Sequence, residues 1–266
     1  MQEYLITLIL GIVQGITEFL PISSDGHLEL AKYLTGDTSG AADSLQLTVI
    51  LHMATALSIM VVFRKDIIRI LTDLLTKRDQ ASKSFAMNVI LSMIPAAIVG
   101  LFFEEQVSQL FEGRILLVSI LLFVNGLILF SSKIRPPAQG AITGPKAFVM
   151  GLSQALAILP GISRSGSTIS TAMLMNIDRN QAATFSFLMV VPLILGKIAK
   201  DLMDGGLMVS NYSLGAVALG FVSAFVTGIF ACKLMILVVQ RIKLHYFAWY
   251  CMAAGTLMIL YLQFSA

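Results

Sequence analysis

Charged residues are scarce in this sequence. Asp, Glu, Lys and Arg together make up 12% of its 266 residues, whereas hydrophobic residues make up 57%. A soluble domain carries about 25% charged residues, so this composition excludes an ordinary soluble protein. The formal net charge of +3 is too small to indicate binding to nucleic acid. The sequence therefore predicts a multi-pass membrane protein with the lipid bilayer as a partner and no nucleic-acid partner.

Cysteine is also rare, with only Cys232 and Cys251 in the whole sequence. Both lie in apolar segments, and neither has a neighbour at a spacing typical of metal ligands. We interpret them as small buried hydrophobic residues.

Long apolar segments are what the sequence has instead. Six segments of about 18–20 residues are long enough to cross a hydrocarbon core of about 30 Å. They lie at about 46–63, 85–103, 115–132, 181–199, 213–232 and 246–264. Two further segments do not fit this pattern, because 147–159 is too short to cross and 2–19 ends in a proline followed by polar residues. We predict an all-α integral membrane protein with six transmembrane helices and two re-entrant hairpins of broken helix.

The two hairpin segments are similar to each other. Five residues of the first recur at a constant offset in the second: Gly11, Gln14, Ile22, Ser23 and Gly26 correspond to Gly151, Gln154, Ile162, Ser163 and Gly166. This match predicts two internal repeats, about 1–132 and 146–264, within one membrane domain that covers 1–266. Three crossings per repeat would give the second repeat the inverted topology.

Basic residues predict the orientation. The segment 64–84 contains Arg64, Lys65, Arg69, Lys77, Arg78 and Lys83. Such a concentration of Lys and Arg is typical of a cytoplasmic loop. The first hairpin then enters from the outer face and the second from the inner face, so that the two breaks meet inside the protein.

The second break has the features of an anion site. Pro160 and Gly161 should end the first helix of the hairpin, and the next helix should begin near Ser165. Its first N–H groups would point into the break, together with several hydroxyl groups and the guanidinium of Arg164. An Arg at membrane depth costs about 2.5–3.5 kcal/mol and usually has a partner or a ligand. The alternative is a kinked helix whose Ser and Thr residues satisfy free carbonyl groups.

The first break adds groups suited to acid–base chemistry and metal binding. Gln14 and Glu18 are four residues apart and share a helical face. After the break, Ser24 is expected to cap the next helix, with Asp25 beside it and His27 on the same side of the first turn. Each residue alone has an ordinary structural explanation. Together their charges, with that of Arg164, should be paired or bound to a metal ion.

Both breaks resemble motifs of one family, the undecaprenyl-diphosphate phosphatases, also called the bacitracin-resistance protein family. The motifs are QGITEFLPISSDGH at 14–27 and PGISRSGST at 160–168. The resemblance implies an enzyme of the prokaryotic plasma (inner) membrane that removes the terminal phosphate of undecaprenyl diphosphate. It also implies a divalent cation, Mg²⁺ or Ca²⁺, a role in recycling the lipid carrier for peptidoglycan synthesis, and bacitracin resistance.

The sequence departs from the family pattern at two positions. Gln14 stands where many members have Glu, which leaves Glu18 as the one carboxylate of that pair. Asp25 stands where others often have Thr or Ser, and adds an oxygen ligand for the cation. The expected metal ligands are therefore Glu18 and Asp25, with a weaker contribution from Gln14.

The expected catalytic residues are Ser24, Glu18, His27 and Arg164. Ser24 is the candidate nucleophile with His27 or Glu18 as its base, although phosphorylation of His27 and direct attack by water stay open. The residues expected to bind the substrate phosphates are Ser23, Ser163, Ser165, Gly166 and Thr168.

A second function follows from the predicted architecture. Inverted repeats with broken helices also form the central sites of transporters, so the chain could instead move a polyprenyl phosphate across the membrane as a transporter or flippase. The small residues Gly220, Ala224 and Gly228 recur every fourth position, a pattern that more often packs helices within one chain than between chains. A homodimer is a further possibility.

Overall fold

The computed structural model describes residues 2–36, 41–76, 79–110, 113–134, 139–203, 212–241 and 244–265. Across these ranges the protein consists of α-helices, one short 3₁₀ turn at Ser132–Ile134 and their connections. The all-α prediction is confirmed. The twelve helices of the described ranges are α1 Gln2–Thr17, α2 Ser24–Thr35, α3 Ala41–Val62, α4 Arg64–Thr76, α5 Gln80–Phe102, α6 Glu104–Ser108, α7 Ile115–Ser131, α8 Gly144–Leu156, α9 Arg164–Leu174, α10 Arg179–Met203, α11 Leu214–Arg241 and α12 His245–Ser265.

Five of these helices are long and apolar enough to cross a membrane. They are α3, α5, α10, α11 and α12, and they match five of the six predicted spans. The sixth predicted span, 115–132, corresponds to α7, which is apolar but has 17 residues, or about 25 Å of helix. The chain is thus a multi-pass membrane protein.

Both predicted helix breaks are present. The first separates α1 from α2 at residues 18–23, and the second separates α8 from α9 at residues 157–163. Helix α9 begins at Arg164, one residue before the predicted start. Gly161 has a φ of 108°, and a Cβ there would lie 2.6 Å from the carbonyl oxygen of Val118. Only glycine fits this turn, because an L side chain would meet both backbone strain and a clash.

Helices α1 and α11 pack at backbone distance through small residues. A Cβ at Gly11 would lie 2.3 Å from the carbonyl oxygen of Gly220, and a Cβ at Gly15 would lie 2.7 Å from that of Ala224. The stripe of small residues on α11 therefore joins two helices of one chain, as predicted. Helix α8 approaches α5 in the same way, since a Cβ at Gly151 would lie 2.4 Å from the carbonyl oxygen of Ser92.

The first break is held in place by the largest apolar cluster. Phe19, in the break itself, is fully buried and packs edge to face on Phe187 of α10, with ring centroids 5.9 Å apart. Ile59 of α3 and Met235 of α11 belong to the same cluster. An apolar anchor of this kind fixes the backbone of the neighbouring residue Glu18.

Candidate active site

The two breaks touch each other in the interior. A Cβ at Gly26 would lie 3.0 Å from the Cα of Gly161, and a Cβ at Gly166 would lie 3.2 Å from the Cβ of Pro21. The prediction that the breaks meet is confirmed. The N-termini of α2 and α9 are consequently brought together, and both carry the partial positive charge of a helix start.

Asn125 of α7 ties the two breaks together. Its amide nitrogen donates to the carbonyl oxygen of Pro21 at 3.2 Å, and its amide oxygen accepts from the N–H of Ser163 at 3.0 Å. The side chain is fully buried. A single amide thus satisfies backbone groups on both sides of the site, where unpaired groups at membrane depth would be costly.

The N-cap of α2 differs from the residue predicted from the sequence. Ser23, not Ser24, is the N-cap of α2: its φ of 70° is non-helical, and its hydroxyl accepts from the N–H of Gly26 at 3.2 Å. Ser163 caps α9 in the same way and accepts from the N–H of Gly166 at 3.1 Å. The prediction that Ser24 caps the helix was wrong because the chain turns one residue earlier. Ser24 is the first helical residue, and its hydroxyl is used elsewhere.

Glu18 is the centre of the polar cluster. Its Oε1 accepts from Nη2 of Arg164, and its Oε2 accepts from the Ser24 hydroxyl at 2.6 Å and from Nε2 of Gln14 at 3.1 Å. Arg164 also donates through Nη1 to the carbonyl oxygen of Ser186 at 3.1 Å. Glu18 is only 6% exposed, so this ion pair is buried. The predicted pairing of charges at the breaks is confirmed, and one carboxylate links both halves of the site.

His52 of α3 belongs to the same cluster, although it was not among the site residues predicted from the sequence. Its Nε2 lies 3.4 Å from Oε2 of Glu18 and 3.4 Å from Oδ1 of Asp25. Its Nδ1 lies 2.9 Å from the carbonyl oxygen of Thr48, so Nδ1 carries a proton and Nε2 faces the two carboxylates. A histidine within an apolar span was the signal that could have found it.

These residues form the polar end of one cavity. The cavity has a volume of about 560 Å³, within the range of small-molecule sites. Its polar lining includes Glu18, Ser24, Asp25, His52, Ser163 and Arg164. Its other walls come from α3, α5, α8 and α10 and are largely apolar, although Lys197 and Lys200 also line them. This lining suits a ligand with an anionic head group and an apolar tail.

His27 lies apart from this cavity. Its Nδ1 is 2.7 Å from the carbonyl oxygen of Ser23, its Nε2 is 2.9 Å from the hydroxyl of Tyr250, and the two rings stack with centroids 5.6 Å apart. Both ring nitrogens are therefore already engaged. The geometry favours Glu18 over His27 as the base beside Ser24.

The predicted phosphate-binding residues fall into two groups. Ser163 lines the cavity next to Arg164. The others have contacts that hold the breaks in place. The Ser23 hydroxyl accepts from the N–H of Gly26, and the N–H of Gly166 donates to the Ser163 hydroxyl. The Ser165 hydroxyl donates to the Leu20 carbonyl oxygen at 3.3 Å, and the Thr168 hydroxyl lies 2.6 Å from that of Ser186. These four residues are not part of the cavity lining, and their contacts support the site.

Two acidic residues of the site, Glu18 and Asp25, are the candidate ligands for a cation. Among the residues that the structure describes, no group of three or more His, Cys, Asp or Glu side chains is arranged to hold a metal ion. Glu18 and Asp25 nevertheless converge on one point, because both carboxylates approach the same nitrogen of His52. Two carboxylates that meet at a cavity are the hard oxygen donors that Mg²⁺ and Ca²⁺ prefer.

Fold and site together define a multi-pass membrane protein with a buried cluster of polar and charged side chains at the junction of two broken helices. The family model "Bacitracin resistance protein BacA" matches residues 7–257, so the chain belongs to the bacitracin resistance protein BacA family. A relative from Christiangramia forsetii named undecaprenyl-diphosphatase is 51% identical over 254 residues, which cover 96% of either chain. Relatives with the same name from Parabacteroides distasonis and Methanobrevibacter smithii are 43% and 35% identical. Each match covers 95% of this chain, and the two matches cover 96% and 95% of the respective relatives. The family resemblance drawn from the sequence is confirmed.

Proposed function

We propose that this protein is an undecaprenyl-diphosphatase, which removes the terminal phosphate of undecaprenyl diphosphate and so returns the lipid carrier to cell-wall synthesis. The observation that carries the proposal is the hydrogen bond of 2.6 Å from the Ser24 hydroxyl to Glu18, in a cavity shared with Arg164. The names of the relatives and the family's link to bacitracin resistance support it.

The cavity has a polar part that suits the diphosphate and apolar walls that suit the first isoprenoid units of such a substrate. The diphosphate lies at the polar end, where Arg164 and the starts of α2 and α9 supply positive charge and N–H donors. The isoprenoid tail lies along the apolar walls. A diphosphate would compete with Glu18 for the guanidinium of Arg164, which leaves the carboxylate available for its own role.

The contacts support attack by Ser24. Its oxygen forms a bond to the terminal phosphorus while its proton passes to Oε2 of Glu18, and the bond from that phosphorus to the bridging oxygen breaks. Undecaprenyl phosphate leaves with the bridging oxygen, and Arg164 offsets the negative charge on the phosphoryl oxygens. Water then hydrolyses the phosphoserine and releases inorganic phosphate, with Glu18 returning the proton. His27 holds the backbone at Ser23, next to the nucleophile.

A divalent cation, Mg²⁺ or Ca²⁺, is part of the proposal. Glu18 and Asp25 would hold it, and the amide nitrogen of Gln14 donates a hydrogen bond that positions Glu18. When bound, such a cation neutralises charge on the diphosphate oxygens.

A transporter or flippase of a polyprenyl phosphate is the alternative. Such a protein needs groups that bind the head group, but it needs no hydroxyl paired with a carboxylate, and the Ser24–Glu18 contact therefore favours hydrolysis. The test is phosphate release from a long-chain polyprenyl diphosphate by purified protein, with and without a chelator. We expect release that the chelator abolishes; lipid movement across vesicles without any phosphate release would establish the alternative.

The proposal includes two repeats of inverted topology, about 1–132 and 146–264, each with a re-entrant hairpin, in the inner membrane of a prokaryote. The helix contacts support it. Helix α1 of the first repeat packs on α11 of the second, and α8 of the second repeat packs on α5 of the first. Because α1 corresponds to α8 and α5 corresponds to α11, each repeat makes the same contact with the other. A homodimer stays a prediction.

The orientation can be measured by cysteine labelling. Ala81 is exposed near the start of α5, within the segment 64–84 that should be cytoplasmic. In an otherwise cysteine-free protein, Ala81→Cys should resist an impermeant thiol reagent added to intact cells and react after the cells are opened. Labelling in intact cells would show that this loop faces outward and would reverse the proposed topology.

Replacement of Arg164 by Lys tests the phosphate site. The two terminal nitrogens of Arg164 reach Glu18 and the Ser186 carbonyl oxygen, and a compact ammonium cannot reproduce that planar fork. Turnover in Arg164→Lys should fall at least about tenfold, or about 1.4 kcal/mol of transition-state stabilisation. Arg69→Lys is the control, because Arg69 is an exposed residue paired with Asp66. Normal turnover in Arg164→Lys, at normal abundance, would remove Arg164 from the site.

A further inference from the structure

Gln154 lines the same cavity from the last turn of α8. The residue is only 3% exposed, and neither its amide nitrogen nor its amide oxygen has a hydrogen-bond partner among the described residues. Buried amides are almost always hydrogen-bonded in folded proteins. An amide that is buried, unpartnered and at a cavity wall therefore indicates a ligand group that binds there.

The corresponding residue of the first hairpin shows why Gln154 is unpartnered. Gln14 occupies the same place in the repeated pattern, and its amide nitrogen is 3.1 Å from Glu18 Oε2 and 3.4 Å from the Thr55 hydroxyl. Four residues after Gln154 stands Ile158, where the first hairpin has Glu18. An isoleucine accepts no hydrogen bond, so the second hairpin leaves its glutamine available to the cavity.

The position of Gln154 suggests which part of the substrate it meets. One turn earlier, Gly151 packs against the backbone of Ser92, so this face of α8 lies toward α5. Helix α5 contributes apolar residues to the cavity, among them Met93 and Ala96. Arg164, in contrast, reaches Glu18, which also accepts from the Ser24 hydroxyl. Gln154 thus lines the same cavity as the charged cluster around Arg164 and the apolar residues of α5.

We propose that the amide nitrogen of Gln154 donates a hydrogen bond to the phosphate that stays on the lipid. The inference rests on the proposed function. Ser24 must reach the terminal phosphate, so the inner phosphate lies on the side of the apolar walls that hold the tail. A neutral amide positions this phosphate without adding a positive charge that would retain the product. The amide oxygen accepts from a water that hydrates the diphosphate.

The test variant is Gln154→Met, which removes the amide but keeps an unbranched chain of similar length. The inner phosphate is present in both the substrate and the product. KM for the diphosphate and the inhibition constant of undecaprenyl phosphate should therefore both rise about tenfold, while kcat stays within twofold. The melting temperature should not fall, because no hydrogen bond within the protein is lost.

Gln46→Met is the matched control. The side-chain oxygen of Gln46 is likewise buried without a partner among the described residues, but Gln46 does not line the cavity. Its KM and inhibition constant should equal those of the wild type. Gln154→Asn is the second variant in case Gln154→Met does not accumulate. Its amide is one methylene shorter and no longer reaches the phosphate, so KM and the inhibition constant should rise in the same way.

Three results would overturn the role of Gln154. They are unchanged binding constants, a loss confined to kcat, and a lower melting temperature with normal binding, which would indicate a structural amide held by water. A wild-type protein that releases no phosphate in the same assay would contradict the proposed function itself. An active wild type with an unchanged Gln154→Met variant would contradict this inference alone.

Discussion

Ser24→Ala should abolish phosphate release while substrate binding survives. Loss of a nucleophile that acts with its base lowers turnover by at least about 10³-fold in comparable hydrolases. Binding should persist, because Arg164 and the starts of α2 and α9 remain in place to hold the diphosphate. The measurement is phosphate release at saturating substrate, together with the affinity for a non-hydrolysable diphosphate analogue.

A matched control separates chemistry from packing. Ser131 on α7 is half-buried, and its hydroxyl donates to the carbonyl oxygen of Ile128 at 2.6 Å, far in sequence from both breaks. Ser131→Ala should retain normal turnover. If Ser24→Ala kept more than a tenth of wild-type release, Ser24 would not be the nucleophile, and attack by water or by His27 would take its place.

Features that depend on local chemistry could be predicted from the sequence. Pro21, Pro160 and Gly161 lie in the two breaks, where a missing N–H and a positive φ disfavour a continued helix within one turn, whereas Pro95 and Pro192 lie inside α5 and α10. The apolar spans follow from the length of helix that a bilayer requires. The pairing of Glu18 with Arg164 was predictable because charges at membrane depth require partners.

Features that depend on tertiary contact could not be predicted. His52 is 34 residues from Glu18 in sequence, and only the packing of α3 beside the breaks brings its ring to two carboxylates. His27 shows the opposite case: its sequence position suggested the base, but Tyr250, which lies 223 residues away, binds its Nε2. The cap of α2 differed by one residue because Ser23 adopts a φ of 70°, which helical spacing does not predict. Spacing along one helix carries no information on such neighbours.

Glu18→Gln should remove both turnover and cation dependence. The variant keeps the size of the side chain but loses the charge that would take the proton of Ser24 and hold a cation. We expect turnover to fall at least about 10²-fold and the residual rate to be the same with and without Mg²⁺. The melting temperature should also fall, because Arg164 is left as a buried charge without its partner.

Glu29→Gln shows which of these effects belong to the site. Glu29 on α2 is buried to a similar extent and pairs with Lys32 at 2.9 Å, but it does not line the cavity. Its loss should lower the melting temperature as well, since Lys32 then stays buried without its paired carboxylate. Turnover per folded molecule should nevertheless remain normal and should still require the cation. If Glu18→Gln and Glu29→Gln lost stability alike and both kept cation-dependent turnover, Glu18 would be a structural residue, and Asp25 with His52 would become the candidate centre of the chemistry.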